Sequence, residues 1–189
     1  MWPKKSWPIN EAWIINNGKH NMKVYFSHGK ESGPWGSKIT RLANVAKEHE
    51  CSVDSIDYSD ISDPDLRVER LFNIVKDIEE DFLLVGSSMG GYVSLVVSEK
   101  VNAKGVFLLA PALFMPGYQR QNYSGNNIEV VHGWSDAIIP VDNSIKFAKS
   151  TDSTLHLISG DHRLNSSIGV VEKLFSQFIV DCQTTINST

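Results

Sequence analysis

Unbroken apolar runs alternate along this chain with stretches that turn apolar every third or fourth residue. Met22-Lys23-Val24-Tyr25-Phe26 reads as a buried strand. Cys51–Ile56 is a second strand candidate, and Phe82–Val85, Val106–Leu109, Ile128–Val131 and Thr154–Ile158 read as further strands. Ser37–Glu50 carries Ile39, Leu42, Ala43 and Ala46 on one helical stripe. Asp63-Pro64 marks a helix start, with Pro at the first helical position. That helix is predicted to run to about Glu80 through Leu66, Leu71, Ile74, Val75 and Ile78. Further helices are expected over Tyr92–Glu99, Val141–Lys149 and Ser166–Val180. Strands apolar on both faces, interleaved with amphipathic helices, indicate a parallel sheet covered on both sides. The expected fold is a three-layer α/β sandwich whose mostly or wholly parallel sheet has about six strands. Residues 1–21 break the pattern, holding three of the five tryptophans, two prolines and an Asn-Asn-Gly turn. They read as an appendage, and 22–189 as one domain opening at Met22.

In an open parallel sheet, the loops after the strand C-termini build the functional site. The strand Phe82–Val85 runs into Gly86-Ser87-Ser88-Met89-Gly90, a G-x-S-x-G with a helix pattern behind it. Glycines two residues either side clear room for a sharp turn, which leaves Ser88 exposed as a candidate nucleophile. A serine hydroxyl needs a base, and the base an orienting carboxylate. Asp136 follows the strand ending at Val131, in His132-Gly133-Trp134-Ser135-Asp136-Ala137-Ile138-Ile139-Pro140. His162 follows the strand ending at Ile158, in Ser159-Gly160-Asp161-His162-Arg163. Competing readings are a glycine-rich turn without chemistry at 86–90, a helix cap at Asp136 and a surface histidine at 162. Asp142 and Asp161 are rival acids, but neither sits in the right loop after a strand. His156 alternates within a strand and reads as structural.

The order Ser, Asp, His is that of the α/β-hydrolases, and the three segments resemble that superfamily's nucleophile elbow, acid loop and histidine loop. Phe26-Ser27-His28-Gly29 resembles its oxyanion loop. The run Ser27-His28-Gly29-Lys30-Glu31-Ser32-Gly33-Pro34-Trp35 is similar to small, cap-less bacterial esterase-like proteins of the YqiA type. The resemblance covers Met22 to about Val180. It implies a reduced α/β-hydrolase fold, because the family usually has eight strands and six are counted here. The first two would be missing or replaced by the N-terminal segment. It further implies a catalytic triad of Ser88, Asp136 and His162. The oxyanion hole would come from the Met89 N–H and the loop at Gly29 and Lys30. His28, Trp35, Leu113 and Trp134 are candidate substrate contacts, although His28 and His132 also suit shaping of their turns. The implied reaction is hydrolysis of a small-molecule carboxylic ester or thioester through an acyl-enzyme, without metal or organic cofactor. A histidine base predicts activity lost on acidification through roughly pH 6–7. A peptidase or amidase with the same triad, or a non-catalytic binding protein on a hydrolase fold, is the alternative. Only Ala110–Asn127 separates two successive strands where larger relatives carry a cap. The expectation is therefore an open site for small to medium acyl groups, with Leu113, Phe114, Met115 and Tyr118 available to it.

Composition narrows the partners. The 189 residues carry a net charge of −4, and the basic residues are scattered, so no phosphate-tracking patch for nucleic acid is visible. No P-loop, no G-x-G-x-x-G and no paired metal-type histidines occur. No apolar run approaches the ~20 residues of a membrane span. The apolar stretch Ala12–Ile15 is shorter than the roughly 7–15 residues of a secretory h-region. A cytoplasmic location is expected, with Cys51 and Cys182 as unpaired thiols. Oligomeric state is left open.

Overall fold

The computed structural model describes residues 22–184. The expected appendage at 1–21 lies outside the described residues. Six strands form one sheet: β1 (Lys23–Ser27), β2 (Ser52–Ile56), β3 (Phe82–Ser87), β4 (Gly105–Leu109), β5 (Ile128–Gly133) and β6 (Thr154–Ile158). Their spatial order is β2-β1-β3-β4-β5-β6, and every neighbouring pair is parallel. The helices are α1 (Ser37–Glu48), α2 (Pro64–Val75), α3 (Met89–Ser98), α4 (Val141–Thr151) and α5 (Ile168–Thr184).

Two apolar layers follow from that order. On one face α1 and α5 cover Val24, Phe26, Leu83, Val85, Phe107 and Leu109. On the other, α2, α3 and α4 cover Tyr25, Leu84, Val106, Leu108 and Val130. Alternate residues of the central strands thus enter opposite layers, which is why those strands read as apolar runs, whereas the edge strands β2 and β6 carry polar residues and stay part-exposed. Phe107 lies fully buried between Phe175 and Phe178, with ring centroids 5.1 and 5.4 Å away. Cys51 and Cys182 are free thiols in the α1/α5 layer, each pushed up to about 11 by burial and so held in the unreactive form.

Helix α1 buries Ile39, Leu42, Ala43 and Ala46, the stripe its spacing predicts. Helix α2 opens as expected, the Asp63 carboxylate accepting from the N–H groups of Asp65 and Leu66 at 2.8 and 3.0 Å. Its inner face differs from the prediction. Arg67, Val68, Leu71 and Val75 are buried, whereas Leu66 and Ile74 are exposed. The helix also stops at Val75, short of Glu80. The acidic run Asp77–Asp81 would otherwise place like charge on the negative C-terminal end. Helix α3 begins three residues earlier than its pattern suggests, because tertiary contacts hold Met89, Gly90 and Gly91 in the helix despite poor glycine propensity.

The face assignment of α2 is checkable by chemical denaturation. Leu71→Ala should cost about 2–5 kcal/mol, and Ile74→Lys less than about 0.5 kcal/mol. Equal costs at the two positions would refute the placement.

Candidate active site

The chain reverses its lateral direction between β1 and β3, so α1 leaves toward one face of the sheet and α3 toward the other. A crevice opens between the loops that follow these two strands. Ser88 sits in it, between β3 and α3, with φ +56° and ψ −120°. Three segments brace this left-handed turn. Ser88 N–H donates to Leu109 O at 3.0 Å, and Ser88 O accepts from Gly91 and Ala112 at 2.9 Å. A Cβ on Gly86 would overlap the Gly90 carbonyl, and one on Gly90 the Ser27 carbonyl. The glycine spacing is therefore set by close backbone approach.

The structure brings Ser88, His162 and Asp136 together in one line. His162 Nε2 lies 3.0 Å from Ser88 Oγ, and His162 Nδ1 lies 2.7 Å from Asp136 Oδ2. An ionised carboxylate only accepts, so Nδ1 carries the ring proton and Nε2 is free to accept from the serine hydroxyl. The Asp136 carboxylate is fully buried. Its Oδ1 accepts from the N–H groups of Ile138 and Ile139, both at 2.8 Å, and its Oδ2 also faces His132 Nε2 at 3.0 Å. Burial alone would raise its pKa. The Ile139 N–H, His162 and the Ile138 N–H outweigh that and hold the group below the ordinary carboxylate value. Asp136 does not cap α4, whose N-cap is Pro140 without a side-chain bond. Of the rival acids, Asp161 holds the turn N–H groups of Arg163 and Leu164, and Asp142 lies in the first turn of α4.

Met89 is the first residue of α3, where a backbone N–H has no partner within the helix. Gly29 lies against the serine, since a Cβ there would be 3.3 Å from Ser88 Cβ. Lys30, next in the chain, is exposed.

Two expected substrate contacts are corrected. His28 is fully buried. Tyr58 N–H donates to its Nε2 at 3.0 Å, and its Nδ1 donates to Gly29 O at 2.7 Å. Burial lowers its pKa, so a neutral ring shapes the loop from beneath. Leu113 is also fully buried, in the α2/α3/α4 layer. The stretch 110–127 forms no helix or strand; its start touches the Ser88 turn through Ala112, and Leu113, Phe114, Tyr118 and Tyr123 pack onto the α2/α3/α4 layer. Tyr118 stacks edge-on with Tyr92 and Phe114 with Tyr123, while Asn143 Nδ2 donates to Leu113 O at 2.7 Å. Trp35 and Trp134 do lie exposed on the β1–α1 and β5–α4 loops, at 50% and 57%, and Ile138 joins them at 65%.

Two groups hold the site loops in place: His132, which the sequence suggested only as shaping its turn, and Arg67, which sequence reasoning missed. His132 links the acid loop to α4, its Nδ1 accepting from Ser144 Oγ–H at 2.7 Å while Nε2–H faces Asp136. Burial lowers its pKa, against the pull of Asp136, so it stays neutral. Arg67 is buried without a carboxylate partner among the described residues. Its guanidinium donates to Ile61 O at 2.7 Å, and at 3.3 Å to the carbonyls of His28, Gly29 and Tyr58. An arginine in an otherwise apolar stripe offers no signal of this beyond its position. Arg67→Met should destabilise the fold by about 3 kcal/mol, because buried carbonyls lose their donors. Chemical denaturation checks this, and a loss under about 1 kcal/mol would show that water replaces the guanidinium.

Comparison with known proteins places this geometry. Residues 22–129 match the model of an uncharacterised protein family, UPF0227. No curated protein matches the chain. A solved protein of the alpha/beta hydrolase superfamily from Xanthomonas campestris pv. campestris is 28% identical, with a TM-score of 0.78 over 84% of this chain and 98% of its own. Est1E from Butyrivibrio proteoclasticus is 15% identical, with a TM-score of 0.72 over 89% and 91%. The type II thioesterase BorB from the borrelidin biosynthetic cluster is 12% identical, with a TM-score of 0.65 over 83% and 90%. The six-stranded parallel sheet is a reduced α/β-hydrolase fold, and the chain belongs to the UPF0227 family.

Proposed function

We propose that the chain is a serine hydrolase that cleaves carboxylic ester or thioester bonds of small to medium acyl substrates. The observation that carries this reading is the hydrogen-bonded line from Ser88 Oγ through His162 to Asp136, at 3.0 and 2.7 Å. His162 Nε2 takes the hydroxyl proton as Ser88 Oγ attacks the acyl carbon. The developing oxyanion is met by the Met89 N–H and by an N–H of the Gly29-Lys30 loop. The tetrahedral adduct then collapses, and His162 returns the proton to the departing alcohol or thiol. Water attacks the acyl-enzyme by the same route and releases the carboxylic acid. Asp136 stabilises the imidazolium at each stage without taking its proton.

The absence of a helix over residues 110–127 supports an open site. Trp35, Trp134 and Ile138 supply exposed apolar surface for a short acyl chain. The fold it shares with a thioesterase keeps thioesters in the substrate class. No helix among the described residues is long and apolar enough to cross a membrane.

Two measurements test the reading. A fluorophosphonate probe should label the wild type and not Ser88→Ala, and kcat/KM for p-nitrophenyl esters should fall at least about 1000-fold in that variant. Folded wild type that resists the probe and cleaves no ester would defeat the proposal in favour of a binding protein. Separately, His132→Leu should lower kcat by about 10- to 100-fold through a misplaced acid, with KM little changed. His132→Asn, which keeps an N–H donor, should recover part of that loss.

A further inference from the structure

Lys38 lies in the first turn of α1, half-buried, and its ammonium donates to Ser87 Oγ at 3.1 Å. Ser87 is the neighbour of Ser88, so the lysine reaches across the crevice from the β1 side to the nucleophile turn. No carboxylate lies within ion-pairing distance of its Nζ among the described residues. The two acids near enough to act on it are otherwise engaged. Asp136 is saturated by two histidines and two backbone N–H groups. Asp161 holds its own turn.

This is an expensive place for a cation. Removing an ammonium from water costs free energy unless an opposite charge compensates it. The first turn of α1 holds no acidic residue, and the positive end of the helix adds like charge. Burial brings the lysine down to about 8, with Asp136 and Asp161 only partly opposing that. A neutral side chain could hold Ser87 Oγ at lower cost. What the ammonium adds is an unsatisfied positive charge at the mouth of the site.

We propose that Lys38 determines specificity by binding a carboxylate carried on the acyl part of the substrate, so that the preferred esters or thioesters are anionic. This rests on the serine hydrolase reading and names its substrate class. The carboxylate would supply the ion pair that the protein withholds, in a setting dry enough for it to count.

The test compares p-nitrophenyl hexanoate with the mono-p-nitrophenyl ester of adipic acid, which has the same acyl length and a terminal carboxylate. In wild type, kcat/KM should favour the anionic ester by about 10- to 100-fold. Lys38→Arg should keep the preference, and Lys38→Met should bring the ratio close to one. The ammonium is charged below about 8 and neutral above, so the wild-type ratio should fall as pH rises through that value. A wild-type ratio near one, a ratio unchanged in Lys38→Met, or a loss shared equally by both esters would overturn the proposal. If the wild type resists the fluorophosphonate probe and cleaves neither ester, the hydrolase reading fails by itself. Calorimetry with the adipate monoester then decides the lysine separately. Affinity lost in Lys38→Met upholds the anion site, and equal affinity sinks it.

Discussion

The site depends on how closely the Ser88 turn passes beneath the end of β1. Three backbones meet there: the turn at Gly86–Gly90, the β1 terminus at Ser27 and His28, and the start of the 110–127 stretch at Pro111 and Ala112. The turn itself leaves no room for an added carbon at Gly86, the β1 terminus none at Gly90, and Pro111 none at Gly91. A residue with φ +56° and ψ −120° costs roughly 1–3 kcal/mol and persists only where surrounding structure enforces it. Hydrogen bonds from β4 and from Ala112 do so here. The strain turns the Ser88 side chain out of the sheet, and the same close approach brings Gly29 alongside it.

Around that turn, polar groups are held by bonds that apolar packing alone would not provide. Arg67 gathers the carbonyls of residues 28, 29, 58 and 61, which fixes the loop beside Ser88 from below. Asp136 is fixed from four directions, two backbone and two imidazole. Since His132 is tied to Ser144 on α4, the carboxylate is referenced to β5 and α4 together. A buried carboxylate is tolerable because every lone-pair direction has a donor, and the geometry leaves His162 one ring orientation.

The fold was legible because a parallel sheet covered on both sides makes its central strands apolar on both faces. The segments of Ser88, Asp136 and His162 were legible for a different reason. Each sits directly after a strand, where the fold must place loops at one edge. Side-chain direction was not legible. His28 and Leu113 occupy site loops yet point inward, because a loop residue gives no periodicity from which to read its facing. Arg67 shifted the buried face of α2 away from the apparent apolar one, since counting apolar residues assumes that charge faces water. Here the charge faces four carbonyls instead, and Leu66 and Ile74 are left outside. Lys38 escaped notice because a lysine on a helix is ordinarily a solvated one.

The inward packing of residues 110–127 changes what can meet a substrate. Leu113, Phe114 and Tyr118 pack against the layer that α2, α3 and α4 form. On the proposed reading, recognition falls to the loops after β1 and β5, which flank the nucleophile strand at different distances across the sheet. One contributes Trp35 and the Lys38 ammonium, the other Trp134 and Ile138. An acyl chain lying across the crevice would meet apolar surface at both ends and a positive charge at one. The electrostatics then have a direction. The buried Asp136 carboxylate sits behind His162, committed to it, while the half-buried ammonium hydrogen-bonds to Ser87 and feels Asp136 and Asp161 only beyond ion-pairing distance. On the proposed reading the two charges, which attract without forming an ion pair, act on separate things: the carboxylate on the imidazolium formed in the reaction, the ammonium on the group that the substrate brings.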